Sequence, residues 1–334
     1  WTTINFNAIN VGSHAYPATL ERGKTAKNLQ FPTEDDPFWS WNLNNVFGFA
    51  RAPLELIAYI VENDRPYTEV VTADYTMANR ASAETMRADQ LTFDDPTPPY
   101  LASEQFKRTK NRGHIVNNGS WQFDYDVSYI EILSYGDYLD YPHAGVLSEL
   151  AFLGRYPTTE TNRNRARARW TYYHFLGVDI EKSAGRTQDP KALADTNNPT
   201  LNNPNCAVCH ELMDPVAGAF QNFYNDGLYR PNSATDALPE IYKTEANSPY
   251  QAGDTWYRDM RPPGYAGQRV PAGQSSIQWL GRKIAADPRF ATATVAFWWP
   301  ALMGSEVLEA PEVSTDEGFA ERLAAFEVQQ EVIQ

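Results

Sequence analysis

The chain has 334 residues and carries a formal net charge of −14, with 21% charged and 42% hydrophobic residues. That length admits one large or two to three smaller domains with a sizeable buried core. The acidic balance argues against a nucleic-acid backbone or an anionic lipid surface as partner, and no run of 18 apolar residues forms a membrane span.

The first 45 residues are rich in Asn, Thr and Pro and read as irregular chain. A helix is predicted from Pro53 to Glu62: Leu54, Ile57, Ala58 and Val61 recur at helical spacing, and Pro53 suits a first helical position. A short turn and a second helix follow within 64–80. Residues 90–145 are rich in Tyr, Asp and Pro without a clear period, which predicts long loops and a short hairpin. Five acidic side chains lie in 124–141, but the spacing of an EF-hand calcium loop is absent. A second helical block covers 143–178. A polar Asn/Pro loop then leads to the sequence NCAVCHELMD at 205–214. The stretch 231–272 reads as irregular. A helix is predicted over 275–290, with Ile277, Leu280, Ile284 and Ala285 on one face, and another from Asp316 to the end. The chain is therefore expected to be mostly α, with helical domains and long irregular loops. The expected segments are 1–45 (irregular), 46–140 (helical with long loops), 141–272 (bearing the cysteine motif) and 273–334 (helical).

The only two cysteines are Cys206 and Cys209, and His210 follows directly. Cys-x-x-Cys-His is the attachment sequence of a c-type haem. Each thiol adds across one vinyl group of a single porphyrin, and on a helical turn both sulfurs face one side. The adjacent His210 then supplies the proximal iron ligand. Two other chemistries compete. A structural zinc site needs a second pair of ligands, and none follows. A thioredoxin-like dithiol needs a βαβ setting, and none is evident. One covalent haem c is the expected cofactor. Haem attachment in bacteria occurs outside the cytoplasm, so a periplasmic or extracellular location is expected. The chain begins with Trp1, which reads as a processed product or part of a longer one.

The second axial position decides between electron carriage and peroxide or oxygen chemistry. Met213 lies three residues after His210, on the same side of the ring, and is assigned to packing. Met260, in the Pro-stiffened stretch YRDMRPPGYAG, is the candidate distal iron ligand; His174, Met303 and His143 follow in that order. His14 and His114 lie in polar surroundings and read as surface residues. Arg163, Arg165, Arg167 and Arg169 crowd one segment. Arg163 and Arg167, four apart, share a face and are candidate contacts to haem propionates; the alternative is a solvated basic face.

The segment NPNCAVCHELMDPVAGAFQNFYNDGLYR resembles the cytochrome c domain of a large, mostly uncharacterised family abundant in planctomycetes. The attachment motif is followed by Asp214-Pro215, then Gly218 to Phe220, then Phe223 to Arg230. Tyr224 stands where the family has Asp, with Asp226-Gly227 after it. The stretches from Arg51 to Arg80 and from His143 to Val178 are similar to the family's preceding helical domain and linker. The stretch from Ser276 to Gly304 is similar to its C-terminal helical domain. The resemblance implies a cytochrome c-like haem segment flanked by helical domains, and a packing role for Met213. The expected function is electron transfer between redox proteins or other cytochromes. The alternatives are a haem peroxidase or oxidase with an open distal face, and a structural subunit of a multi-haem assembly.

Overall fold

The computed structural model describes residues 37–333 apart from 89, 95–104, 113–119, 125–128, 135–139, 160–161, 184–186, 196–198, 224–226, 228, 230–259 and 313–316. The expectations for residues 1–36, His14, His114, Tyr224, Asp226 and Arg230 lie outside them; residues 37–45, expected to be irregular, are instead helical.

The architecture is mostly α. Helix α1 runs from Pro37 to Glu62, so the chain enters it well before Pro53. Pro53 sits inside this helix although an interior proline lacks one N–H and crowds the carbonyl four residues back. The helix persists because its flank is deeply packed: Phe49, Ala50, Ala52, Leu56 and Ile60 are all buried. Local preference marked Pro53 as a start, and tertiary burial overrides it.

After α1 come the short α2 (Glu69–Thr72), β1 (Thr76–Ala78) and α3 (Arg80–Thr85). Strand β1 pairs antiparallel with β2 (Lys107–Thr109), with Thr76 opposite Thr109. A second antiparallel pair joins β3 (Ser120–Asp124) to β4 (Tyr129–Ser134), the hairpin expected in this stretch. The following block supplies α4 (Leu150–Arg155) and α5 (Arg165–Leu176). Helix α5 ends at Gly177, whose φ of 67° allows the Val178 N–H to reach the Tyr172 carbonyl. Single turns α6 (Ile180–Ser183), α7 (Pro190–Leu193) and α8 (Pro199–Asn202) lead to α9 (Pro204–Ala219), which carries the cysteine motif. Then β5 (Gly264–Tyr265) pairs with β6 (Gln268–Arg269). The segment predicted as one helix over 275–290 divides into α10 (Ser276–Ala285) and α11 (Pro288–Met303). The cause is local: the Asp287 side chain caps the Arg289 N–H and Pro288 occupies the first turn. Helix α12 (Phe319–Ile333) closes the chain and has no buried residue.

One apolar cluster holds α1, α2, α4, α5, α9, α10 and α11 together. Leu56, Ile60, Val71, Leu147, Leu153, Phe220, Leu280 and Ile284 are at its centre, each fully or almost fully buried. Burying one such side chain contributes about 1.5–3 kcal/mol. At Gly281 the α10 backbone crosses α2 so closely that an added Cβ would stand 2.1 Å from the Val71 carbonyl oxygen. That crossing requires glycine. Among the described residues no helix is long and apolar enough to cross a membrane.

Candidate haem-attachment site

Helix α9 begins at an Asn203 cap. The Asn203 side chain accepts from the Asn205 N–H at 3.0 Å, and Pro204 fills the first helical position. Cys206, Cys209, His210 and Met213 then fall at i, i+3, i+4 and i+7, on one face of the helix. The two cysteines are free thiols of intermediate burial. Cys209 and Met213 pack against the main apolar cluster, consistent with a packing role for Met213. Val208 and Leu212 point away from it and are exposed.

His210 is held from behind. Its Nδ1 lies 2.9 Å from Oδ1 of Asp214, one helical turn on. The Asp214 side chain is 0% exposed. Arg165, at the start of α5, grips the same carboxylate with its planar fork: Nε to Oδ1 at 2.7 Å and one terminal nitrogen to Oδ2 at 3.0 Å. Burial by itself would push the Asp214 pKa up; the hydrogen bonds from His210 and Arg165 outweigh it and hold Asp214 below the usual carboxylate range. The carboxylate is therefore charged at neutral pH and can only accept. His210 must donate its Nδ1–H to it, so that in the neutral imidazole the lone pair lies on Nε2. Two thiols on one helical face, beside an imidazole whose Nε2 is free to coordinate, are the donor set that a covalent haem requires. Cys206, Cys209 and His210 fit that group.

Pro215 removes a helical N–H just after Asp214, and Tyr172 from α5 donates to the neighbouring Leu212 carbonyl at 3.3 Å. Helices α5 and α9 are thus joined at Asp214 and again at Leu212.

The four arginines diverge. Arg167 is 0% exposed, and its guanidinium donates to the carbonyls of Leu153, Tyr156 and Phe223 and to the Asn164 side chain. Arg163 is buried too, on left-handed backbone with φ of 45°. The structure commits the Arg167 donors to the protein's own acceptors, and it is Arg165 that lies against the Asp214 carboxylate behind His210. Residues two apart on a helix are rotated by about 200°, so Arg165 and Arg167 address opposite sides. Arg169 pairs with Asp179 and Glu181.

The candidates for the second axial position are scattered. Met260 is 1% exposed within the main cluster. The next residue, Arg261, donates to Glu211 at 2.7 Å, so this segment is tied to the neighbour of His210. His174 shares a 2.9 Å hydrogen bond with the Tyr156 hydroxyl. It also lines a cavity of about 250 Å³ between α1, α4, α5 and α11, which no α9 residue lines. Burial lowers its pKa to about 4. His143 is buried, and its Nε2 accepts the Asn111 N–H at 2.8 Å, with its pKa lowered to about 3 by burial. Met303 is exposed at the end of α11. Among the described residues no group of three or more His, Cys, Asp or Glu is placed to hold a bare metal ion.

Sequence reasoning named Asp214 only as part of an Asp-Pro step and Arg165 only as one of four arginines. The i, i+4 spacing from His210 to Asp214 was the available signal for the first. The partnership with Arg165, 49 residues away, had no local signature.

No curated protein and no solved structure matches the chain. Residues 143–233, which include Arg165, both cysteines, His210 and Asp214, match the family model PSCyt3, described as a protein of unknown function (DUF1588), and this supports a cytochrome-like domain over that stretch.

Proposed function

We propose that the chain is an exported monohaem c-type cytochrome that transfers electrons between redox partners, located in the periplasm or outside the cell. The observation that carries this reading is the His210–Asp214 contact, which turns Nε2 of His210 outward on the helical face shared with Cys206 and Cys209. Each thiol S–H adds across one vinyl C=C, forming an S–C bond while the hydrogen passes to the neighbouring carbon, with no leaving group. The bound haem supplies an iron that cycles between ferric and ferrous states. The protein contributes the two sulfurs, the Nε2 ligand, the buried carboxylate that orients it and a wall of apolar side chains. In this reading Met260 would supply the iron's other protein ligand. The exposed Val208 and Leu212 lie on the opposite face of the same helix and offer an apolar contact to a partner there. Partners are other cytochromes or redox proteins, in keeping with an acidic chain that repels nucleic acid.

Absorption spectra of oxidised and reduced wild type and Met260→Ala test the assignment. A low-spin spectrum with a Met-to-iron charge-transfer band, lost in the variant, is the expected result. An unchanged low-spin spectrum in Met260→Ala removes Met260 from the iron.

A second reading, peroxide or oxygen turnover at an open distal face, is favoured by the charged carboxylate behind His210, since it raises the basicity of the ligand. A high-spin ferric wild type that turns over peroxide selects it.

A further inference from the structure

We infer that Asp214, clamped by Arg165, is a positioning residue that gives His210 partial imidazolate character and thereby holds the haem iron at a low reduction potential. This rests on the haem reading above and adds to it a property of the protein's own residues. Three observations support it. First, the acceptor behind His210 is a charged carboxylate, fully buried and 2.9 Å from Nδ1. A hydrogen bond to a charged acceptor is about twice as strong as one between neutral groups, and stronger still away from water. Second, the carboxylate is fixed. Arg165 makes two contacts to it from another helix, and α5 and α9 are further joined through Tyr172 and Leu212. Asp214 therefore cannot turn to solvent when the iron changes charge. Third, the geometry decides the sign. Oδ1 touches the ring N–H directly at 2.9 Å, whereas Arg165 contacts the carboxylate, its Nε sharing that same Oδ1 at 2.7 Å, and not the ring. Coulomb energy falls with distance, so the anion outweighs the cation at the imidazole. A carboxylate that draws the Nδ1 proton makes Nε2 a better donor, and a better donor favours ferric over ferrous iron.

An ion pair that merely ties two helices would also have these contacts, so stability cannot separate the roles. Potentiometry of haem-loaded wild type and Asp214→Asn does. Asparagine retains the size and an accepting oxygen but not the charge. The expected result is both thioethers intact by mass, with the midpoint raised by at least a tenfold shift in the ferric/ferrous constant, about 59 mV for one electron. An unchanged midpoint in a fully loaded Asp214→Asn protein overturns the inference and leaves the haem reading standing. Absence of haem on wild type overturns the reading instead. Should Asp214→Asn fail to fold, NMR of reduced wild type gives the answer. A His210 Nδ1–H that exchanges slowly with solvent supports the buried carboxylate bond, and one that exchanges at the rate of an open imidazole overturns it.

Discussion

Arg165 and Arg167 leave α5 two residues apart and enter different regions. Arg167 turns into the interior, where the carbonyls of Leu153, Tyr156 and Phe223 surround it. Arg165 turns toward α9 and grips the carboxylate behind His210. The first region is closed, with the Arg167 guanidinium donating to acceptors of the chain itself. The second has a closed back and an open front: Asp214 is fully buried, while both thiols and the His210 ring keep some exposure. A structural clamp satisfies itself; a ligand-holding site satisfies only the side that faces the protein.

Breaking the clamp should have the largest effect on stability. Arg167→Met strands several buried carbonyls at once and should cost about 3–5 kcal/mol, read as a lower denaturant midpoint with an unchanged slope. A loss below 1 kcal/mol would mean that water replaces the guanidinium, and the contrast between the regions would weaken. Arg165→Gln leaves Asp214 buried without its cation but beside a partly exposed edge. It should cost about 2 kcal/mol, with the change in the haem spectrum exceeding that of Arg167→Met.

Glu149 tests the closed region by pH. It is fully buried, and burial raises its pKa to about 8, with one carboxyl oxygen lacking a hydrogen-bond partner. Its folded pKa lies above the unfolded value near 4.5. Its contribution to stability is therefore full below pH 4.5 and declines as pH rises toward 8. His143 runs the other way: with a folded pKa of about 3 against 6.5 unfolded, its contribution is full above 6.5 and declines as pH falls. The two slopes oppose each other between about pH 4.5 and 6.5, and only Glu149 acts between 6.5 and 8. Glu149→Gln should thus stabilise the protein at pH 7 by about 1–3 kcal/mol and flatten the profile from pH 6.5 to 8. A variant as pH-dependent as wild type in that window would assign the slope to another group. The smallest effect expected is at the entrance to α9. Asn203→Ala removes its cap and should cost about 1 kcal/mol, measured by thermal melting.

Legibility in the sequence followed the range of the forces involved. The Cys-x-x-Cys-His motif was readable because it occupies five consecutive residues. The mostly α class was readable from periodicity, and α10 from Ile277, Leu280 and Ile284. The break before α11 was also written locally, in Asp287-Pro288, but the apolar spacing on either side masked it. The early start of α1 was not legible, because Pro53 carries a start signal that only the burial of Phe49, Ala50 and Leu56 overrules. Strands β1 and β2 are three residues each and lie some thirty residues apart, too short to show alternation. The site's rear wall was half legible: His210 and Asp214 share a helical face by spacing alone. Arg165 could be told from Arg163 and Arg167 only once α5 lay against α9.

The central claim is that Cys206, Cys209 and His210 hold one covalent haem. Intact mass of the protein, produced in cells that attach haem c and then treated with an alkylating reagent, tests it most directly. The account predicts one added macrocycle, no alkylated cysteine, and loss of the added mass in the Cys206→Ser, Cys209→Ser double variant. A wild-type chain with no added mass and two alkylated thiols would contradict it.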